Sequence, residues 1–105
     1  MIRARFHFKL KSGEGWNDFL QTATKLNEIS RARGWVEFSF WTQVAGSFNE
    51  IVLEADYPDL ASFEQQTNAF YADAEAVGTM RGWRDLVIQG TGYNELWAQA
   101  EPVSS

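Results

Sequence analysis

Residues 1–11 read MIRARFHFKLK and alternate without a break. Ile2, Ala4, Phe6, Phe8 and Leu10 fall on one side, and Arg3, Arg5, His7, Lys9 and Lys11 on the other. Successive side chains of an extended backbone point to opposite faces. Strict period two over this length therefore predicts a strand with one apolar face. The chain's only histidine and four of its nine Lys and Arg residues lie on the second face. The stretch reads as the central strand of a small sheet.

Working outward, Ser12-Gly13-Glu14-Gly15 is a turn, and a helix is expected from residue 15 or 16 to residue 33. Trp16, Phe19, Leu20, Ala23, Leu26 and Ile29 recur at spacings of three and four, which makes one apolar stripe. Arg31 and Arg33 suit the negative end of the helix, and Gly34 suits the residue that ends it. Residues 35–44 read as strand two. Val36, Phe38, Phe40 and Val44 are on one face, with Trp35, Glu37, Ser39, Trp41 and Gln43 on the other. Ala45-Gly46-Ser47 connects to strand three at residues 48–56, a hairpin in pattern. Pro58 is expected to open helix two, with Asp59 near its positive end and an inner stripe from Leu60 through Phe63, Thr67, Phe70 and Ala74 to Val77. Gly78 is the expected stop, followed by a loop over residues 78–82. Strand four is placed at residues 83–91, with Leu86 and Ile88 facing the core. The domain is drawn over residues 1–92, with residues 93–105 as a C-terminal tail.

The order β-α-β-β-α-β is the split, ferredoxin-like arrangement. It predicts an α+β sandwich with an antiparallel sheet in the order 4-1-3-2 and both helices on one face. The core would come from Phe6, Phe8, Val36, Phe38, Phe40, Ile51, Leu53, Leu86 and Ile88.

Composition narrows the function. At 105 residues the chain is one domain. Without cysteine it has no disulfide, thiolate metal ligand or thiol nucleophile. A single histidine cannot build a multi-histidine metal site, and no metal is expected. No secretory signal is visible, no apolar run approaches a membrane span, and a cytoplasmic location is expected. Net charge is −5, which argues against nucleic acid as a partner. Neither a nucleophile elbow nor a dinucleotide or phosphate loop is present. Charge is split along the chain: residues 34–80 carry eight acidic side chains and no basic ones. A basic strand one lying beside an acidic strand three follows naturally.

Aromatic residues make up 15% of the chain, a large apolar load for this length. Trp35, Trp41, Phe48, Val52 and Val87 would together form an exposed patch on the sheet face away from the helices. A two-fold homodimer, sheet against sheet, would cover it with its own copy.

The alternation of MIRARFHFKLK followed by SGEGW, and the start of helix two in EADYPDLASFEQ (residues 54–65), resemble the dimeric α/β-barrel superfamily. Within it the chain looks like NIPSNAP-like and antibiotic-biosynthesis-monooxygenase-like single-domain proteins. The resemblance spans residues 1–92 and implies ferredoxin-like subunits paired as a barrel. It covers cofactor-free oxygenases, polyketide cyclases, haem-handling enzymes, isomerases and proteins without known activity, so fold leaves function open. Haem enzymes of this group rely on an axial histidine late in the chain. This sequence has none there, and no cofactor is expected.

The candidate catalytic residues are His7, as general base, and Arg5, as the group that stabilises negative charge on oxygen. Trp35, Trp41 and Phe48 are candidate walls of a pocket for an aromatic or polyketide-like molecule, with Glu37 and Glu54 as ligand-binding carboxylates. Trp83 is a further candidate wall, and Tyr71, Tyr93 and Trp97 are candidates for its mouth. The plainer reading has His7 bonded to a cross-strand carboxylate, Arg3, Arg5 and Lys9 in an ion-pair ladder, and the aromatics in a dimer core. On that reading the chain is a non-catalytic binding or assembly module. A His7 facing an open cavity would favour the enzyme, and a His7 buried against a carboxylate would favour the module.

Overall fold

The structure, a computed structural model, describes residues 1–11, 15–46 and 48–100. Strand β1 (Ile2–Lys9) is central in a four-stranded sheet of order β2-β3-β1-β4, with β2 at Ser39–Thr42, β3 at Glu50–Tyr57 and β4 at Tyr93–Ala98. All pairings are antiparallel, and the order is the expected one. Helix α1 spans Trp16–Arg33 as the stripe predicted, and Gly34 ends it in the left-handed conformation (φ 73°) that favours glycine. The expected turn at residues 12–14, Ser47 in the hairpin and residues 101–105 lie outside the described residues.

Core packing joins Phe19, Ala23 and Leu26 of α1 to Leu10, Ile51, Leu53 and Trp83, with Phe6, Phe8, Phe38 and Phe40 against them. Trp83 stacks on Phe19 with ring centroids 4.6 Å apart, and its indole N–H donates to the Phe19 carbonyl at 3.2 Å. A second cluster sets Ala4, Ala55 and Tyr57 beneath Phe63. The helices thus cover one sheet face.

Several expectations are corrected. The fourth strand is not at residues 83–91. A 3₁₀ turn at Arg81–Trp83 leads into a reversal in which Leu86 and Val87 N–H groups donate to the Trp83 carbonyl. Val87 then makes one bridge to Leu10. Continued unbroken, that register would set His7 opposite Gly90, yet His7 stands opposite Tyr93. Three residues are looped out around Gly90, whose φ of 82° permits the turn. Residues 93–98, expected in the tail, form the edge strand, and Ile88 is exposed instead of in the core.

Strand two is also shorter than its pattern. Residues 35–38 make no ladder, because helix side chains take their backbone groups. The Val36 N–H donates to Gln66 Oε1 at 2.9 Å, and Phe38 exchanges two bonds with the Asn27 amide at 2.8 and 2.9 Å. Val44, expected inside, is 97% exposed beyond the strand end. Phe48 lies in the turn before β3 and is 79% exposed.

Helix two is two helices, α2 (Leu60–Ala72) and α3 (Ala74–Met80). Asp59, not Pro58, sits at the helix boundary, accepting from the Ser62 N–H at 2.7 Å. Asp73 breaks the run with extended backbone and caps α3 through the Ala76 N–H at 2.9 Å. Finally, Gly78 lies inside α3 instead of ending the helix.

Candidate functional site: a cavity and a charged sheet face

Alternation of β1 and β3 divides the candidate residues between two opposite faces. On the helix side, a cavity of about 390 Å³ lies between sheet and helices, within the range of small-molecule pockets. Its walls include Phe6, Phe8, Phe38, Phe40, Trp35 and Phe70, with Tyr71, Met80 and Trp83. Polar groups are few: Asn27, Ser30, Tyr57, Gln66, Thr67 and Asn94. Among the described residues, no Asp, Glu, Lys, Arg or His side chain lines it.

Tyr57 ends the inward run Ile51, Leu53, Ala55 on β3 and is only 5% exposed. Its ring meets Phe63 edge-on, with centroids 5.2 Å apart. Burial pushes its phenol up to about 12, since the phenolate would lose its hydration there. Trp35 was expected on the face away from the helices. It lines the cavity instead, tilted against Phe70 at 6.1 Å, with the Arg33 guanidinium over its ring at 5.9 Å. Trp83 and Tyr71, also named from sequence, are on the same lining.

The opposite face holds His7 and Arg5. His7 pairs with Val52 on one side and Tyr93 on the other, and Trp41 pairs with Val52, so one row crosses all four strands. The His7 ring stacks on Tyr93, with centroids 4.1 Å apart and planes 7° from parallel. Its Nε2 bonds Glu95 Oε1, and Nδ1 lies 3.6 Å from Glu50 Oε1. His7 is 7% exposed. The next row sets Arg5 between Glu54 and Glu95, with Arg5 Nε 3.3 Å from Glu54. Arg3 Nε reaches Asp56 at 2.8 Å and Glu54 at 3.1 Å, and that hydrogen bond holds the Asp56 carboxyl below its ordinary range. Lys9 faces Glu50 in register. The predicted basic-acidic strand pair is realised as this ladder.

The candidate residues are therefore not one constellation. His7, Arg5, Glu54 and Trp41 share the open sheet face. Trp35 lines the cavity. Glu37 accepts from Arg31 at 2.7 Å at the surface, and Phe48 stands apart in its turn. Tyr93 and Trp97 lie on the open face opposite His7 and Arg3. Sequence reasoning missed Glu95, Tyr57 and Gln66. Extending the β3 alternation by one residue finds Tyr57, and reading residues 93–98 as a strand finds Glu95. Nothing local marks Gln66.

Among the described residues no cluster of three or more His, Cys, Asp or Glu side chains could hold a metal ion, and no helix is long and apolar enough to cross a membrane.

No sequence-family model and no curated protein matches the chain. Solved structures match its fold. An uncharacterized NIPSNAP domain protein from Burkholderia xenovorans aligns over 100% of both chains at 15% identity and TM-score 0.78. A NIPSNAP family protein of unknown function from Agrobacterium tumefaciens covers 95% of this chain and 88% of its own, at 20% identity and TM-score 0.77. An antibiotic biosynthesis monooxygenase aligns over 96% of this chain and 100% of its own, at 13% identity and TM-score 0.72. These likenesses establish a shared ferredoxin-like fold, the one the sequence resemblance implied.

Proposed function

We propose that the protein binds a small aromatic or polyketide-like molecule in the cavity between sheet and helices, as a homodimer that covers the open sheet faces. The cavity itself carries this reading: an aromatic-walled space of about 390 Å³ with a few hydroxyl and amide groups. Such a lining matches apolar surface and orients it through sparse polar contacts. The homodimer rests on the open face, where Trp41 is 57% exposed beside exposed Tyr93 and Trp97.

Cofactor-independent oxygenation or cyclisation of that molecule is the enzymatic form of the reading, in line with the monooxygenase among the fold's neighbours. The placement of His7 favours the second form, a non-catalytic binding module. His7 has carboxylates near both ring nitrogens and belongs to the face opposite the cavity. It is a bonded strand residue there, remote from a cavity-bound substrate.

Native mass spectrometry of the purified protein tests both parts. The expected spectrum is a dimer retaining a small molecule. Thr67→Trp, which fills the cavity from α2, should lose that mass and keep the dimer, whereas Trp41→Glu should give monomers. A wild-type monomer would remove the dimer, and added mass that survives Thr67→Trp would remove the cavity as its site.

A further inference from the structure

We infer that Tyr57 selects the cavity's ligand: an uncharged, planar molecule carrying a hydrogen-bond acceptor such as a ketone or quinone carbonyl, in preference to the corresponding carboxylate. This rests on the cavity being a small-molecule site and adds which chemistry it reads.

The argument begins with hydrogen bonds that are made and those that are not. Asn27 has both ends of its amide engaged by Phe38, and the Gln66 oxygen is engaged by the Val36 N–H. A backbone N–H can be answered only by the amide oxygen, so Gln66 is left with its NH₂ as a donor. Among the described residues, neither that NH₂ nor the Tyr57 hydroxyl has a hydrogen-bond partner. Tyr57 is nine-tenths buried and more, on the cavity lining. That hydroxyl keeps some accessible surface, and on the cavity lining a ligand oxygen would accept from it in place of water.

Charge then decides between ligands of similar shape. A carboxylate entering this cavity gives up water and meets no cation among the described residues of the lining. The Arg33 guanidinium, which lies over the cavity residue Trp35, is held by Asp73 at 2.6 Å and Glu75 at 3.1 Å. An ammonium group meets no carboxylate among the described residues of the lining either. A carbonyl sheds much less hydration and accepts from donors already in place. Aromatic side chains on both layers favour a flat molecule.

Three naphthalenes of nearly equal size make the test: 1-acetonaphthone, 1-ethylnaphthalene and 1-naphthoate. Their dissociation constants are measured by NMR titration at pH 7.5 on the wild type and on Tyr57→Phe. The ketone is expected to bind at least about tenfold more tightly than the carboxylate. Tyr57→Phe should weaken the ketone by about threefold to tenfold, the worth of one neutral hydrogen bond. It should leave ethylnaphthalene unchanged, which also shows that the variant cavity is intact. Naphthoate binding as tightly as the ketone, or a Tyr57→Phe change equal for all three or absent for the ketone, overturns the selection by Tyr57 and leaves the cavity reading standing. If none of the three binds the wild type, or all bind Thr67→Trp undiminished, the cavity reading falls and this inference with it.

Discussion

The two faces of one sheet differ more than any other two regions of this molecule. Towards the helices, β1 and β3 bury Ala4 and Ile51 and present Phe6, Phe8, Leu53 and Tyr57 to a cavity that has no charged side chain among the described residues of its lining. Away from them, the same strands present Arg3, Arg5, His7, Glu50, Glu54 and Asp56, and β4 adds Glu95. A backbone one layer thick separates titratable chemistry from apolar volume. A histidine in an alternating strand and an aromatic-walled pocket are each legible as site features. Whether they act together depends on which side each one faces, and here they face apart.

That separation can be broken or sharpened by substitution. The largest effect belongs to the helix side. Phe19→Ala removes a fully buried ring stacked on Trp83 and should destabilise the fold by about 3–5 kcal/mol in urea unfolding. A loss below about 1 kcal/mol would mean that this packing does not hold the layers together.

On the open face, His7→Gln should cost about 1–3 kcal/mol, since it disturbs a part-buried charge-assisted contact with Glu95. Binding of 1-acetonaphthone should stay within about twofold of wild type. A much larger loss of affinity would couple the two faces and return His7 to the site.

The smallest effect is an acid limb. Asp56, Asp59 and Asp73 are held below the ordinary carboxylate value of 3.8: Asp56 by its Arg3 bond, Asp59 by the Ser62 N–H, and Asp73 by the Ala76 N–H and then Arg33. With folded values depressed, their stabilisation is complete above the unfolded value and is lost as pH falls through the folded ones. Urea midpoints should be insensitive to these groups from pH 5 to 7 and decline below about pH 4. Asp73→Asn keeps a capping oxygen but not the titration, and should make the decline shallower. An unchanged limb would remove Asp73 as a contributor.

Local pattern determined much of the architecture. Residues 1–11 alternate so strictly that any fold hiding Ala4 and Leu10 must turn Arg3, Arg5 and His7 the other way. The 16–33 stripe and Gly34 set α1 because their signals lie within a few residues of each other. The opposite charges of β1 and β3 anticipated their pairing, realised as Arg3 with Asp56, Arg5 with Glu54 and Lys9 with Glu50. Tertiary contacts decided the rest. Trp83 is drawn into the core by Phe19, so the chain around it turns and the edge strand falls to residues 93–98. Residues 35–38 leave the ladder because Asn27 and Gln66, on two different helices, take their backbone groups. Trp35 thereby comes to the cavity and joins Tyr57 on its lining. Each of these outcomes depends on partners 11 to 64 positions away in the chain. A periodicity reports which face a residue takes within its own element, whereas a cavity exists only between elements.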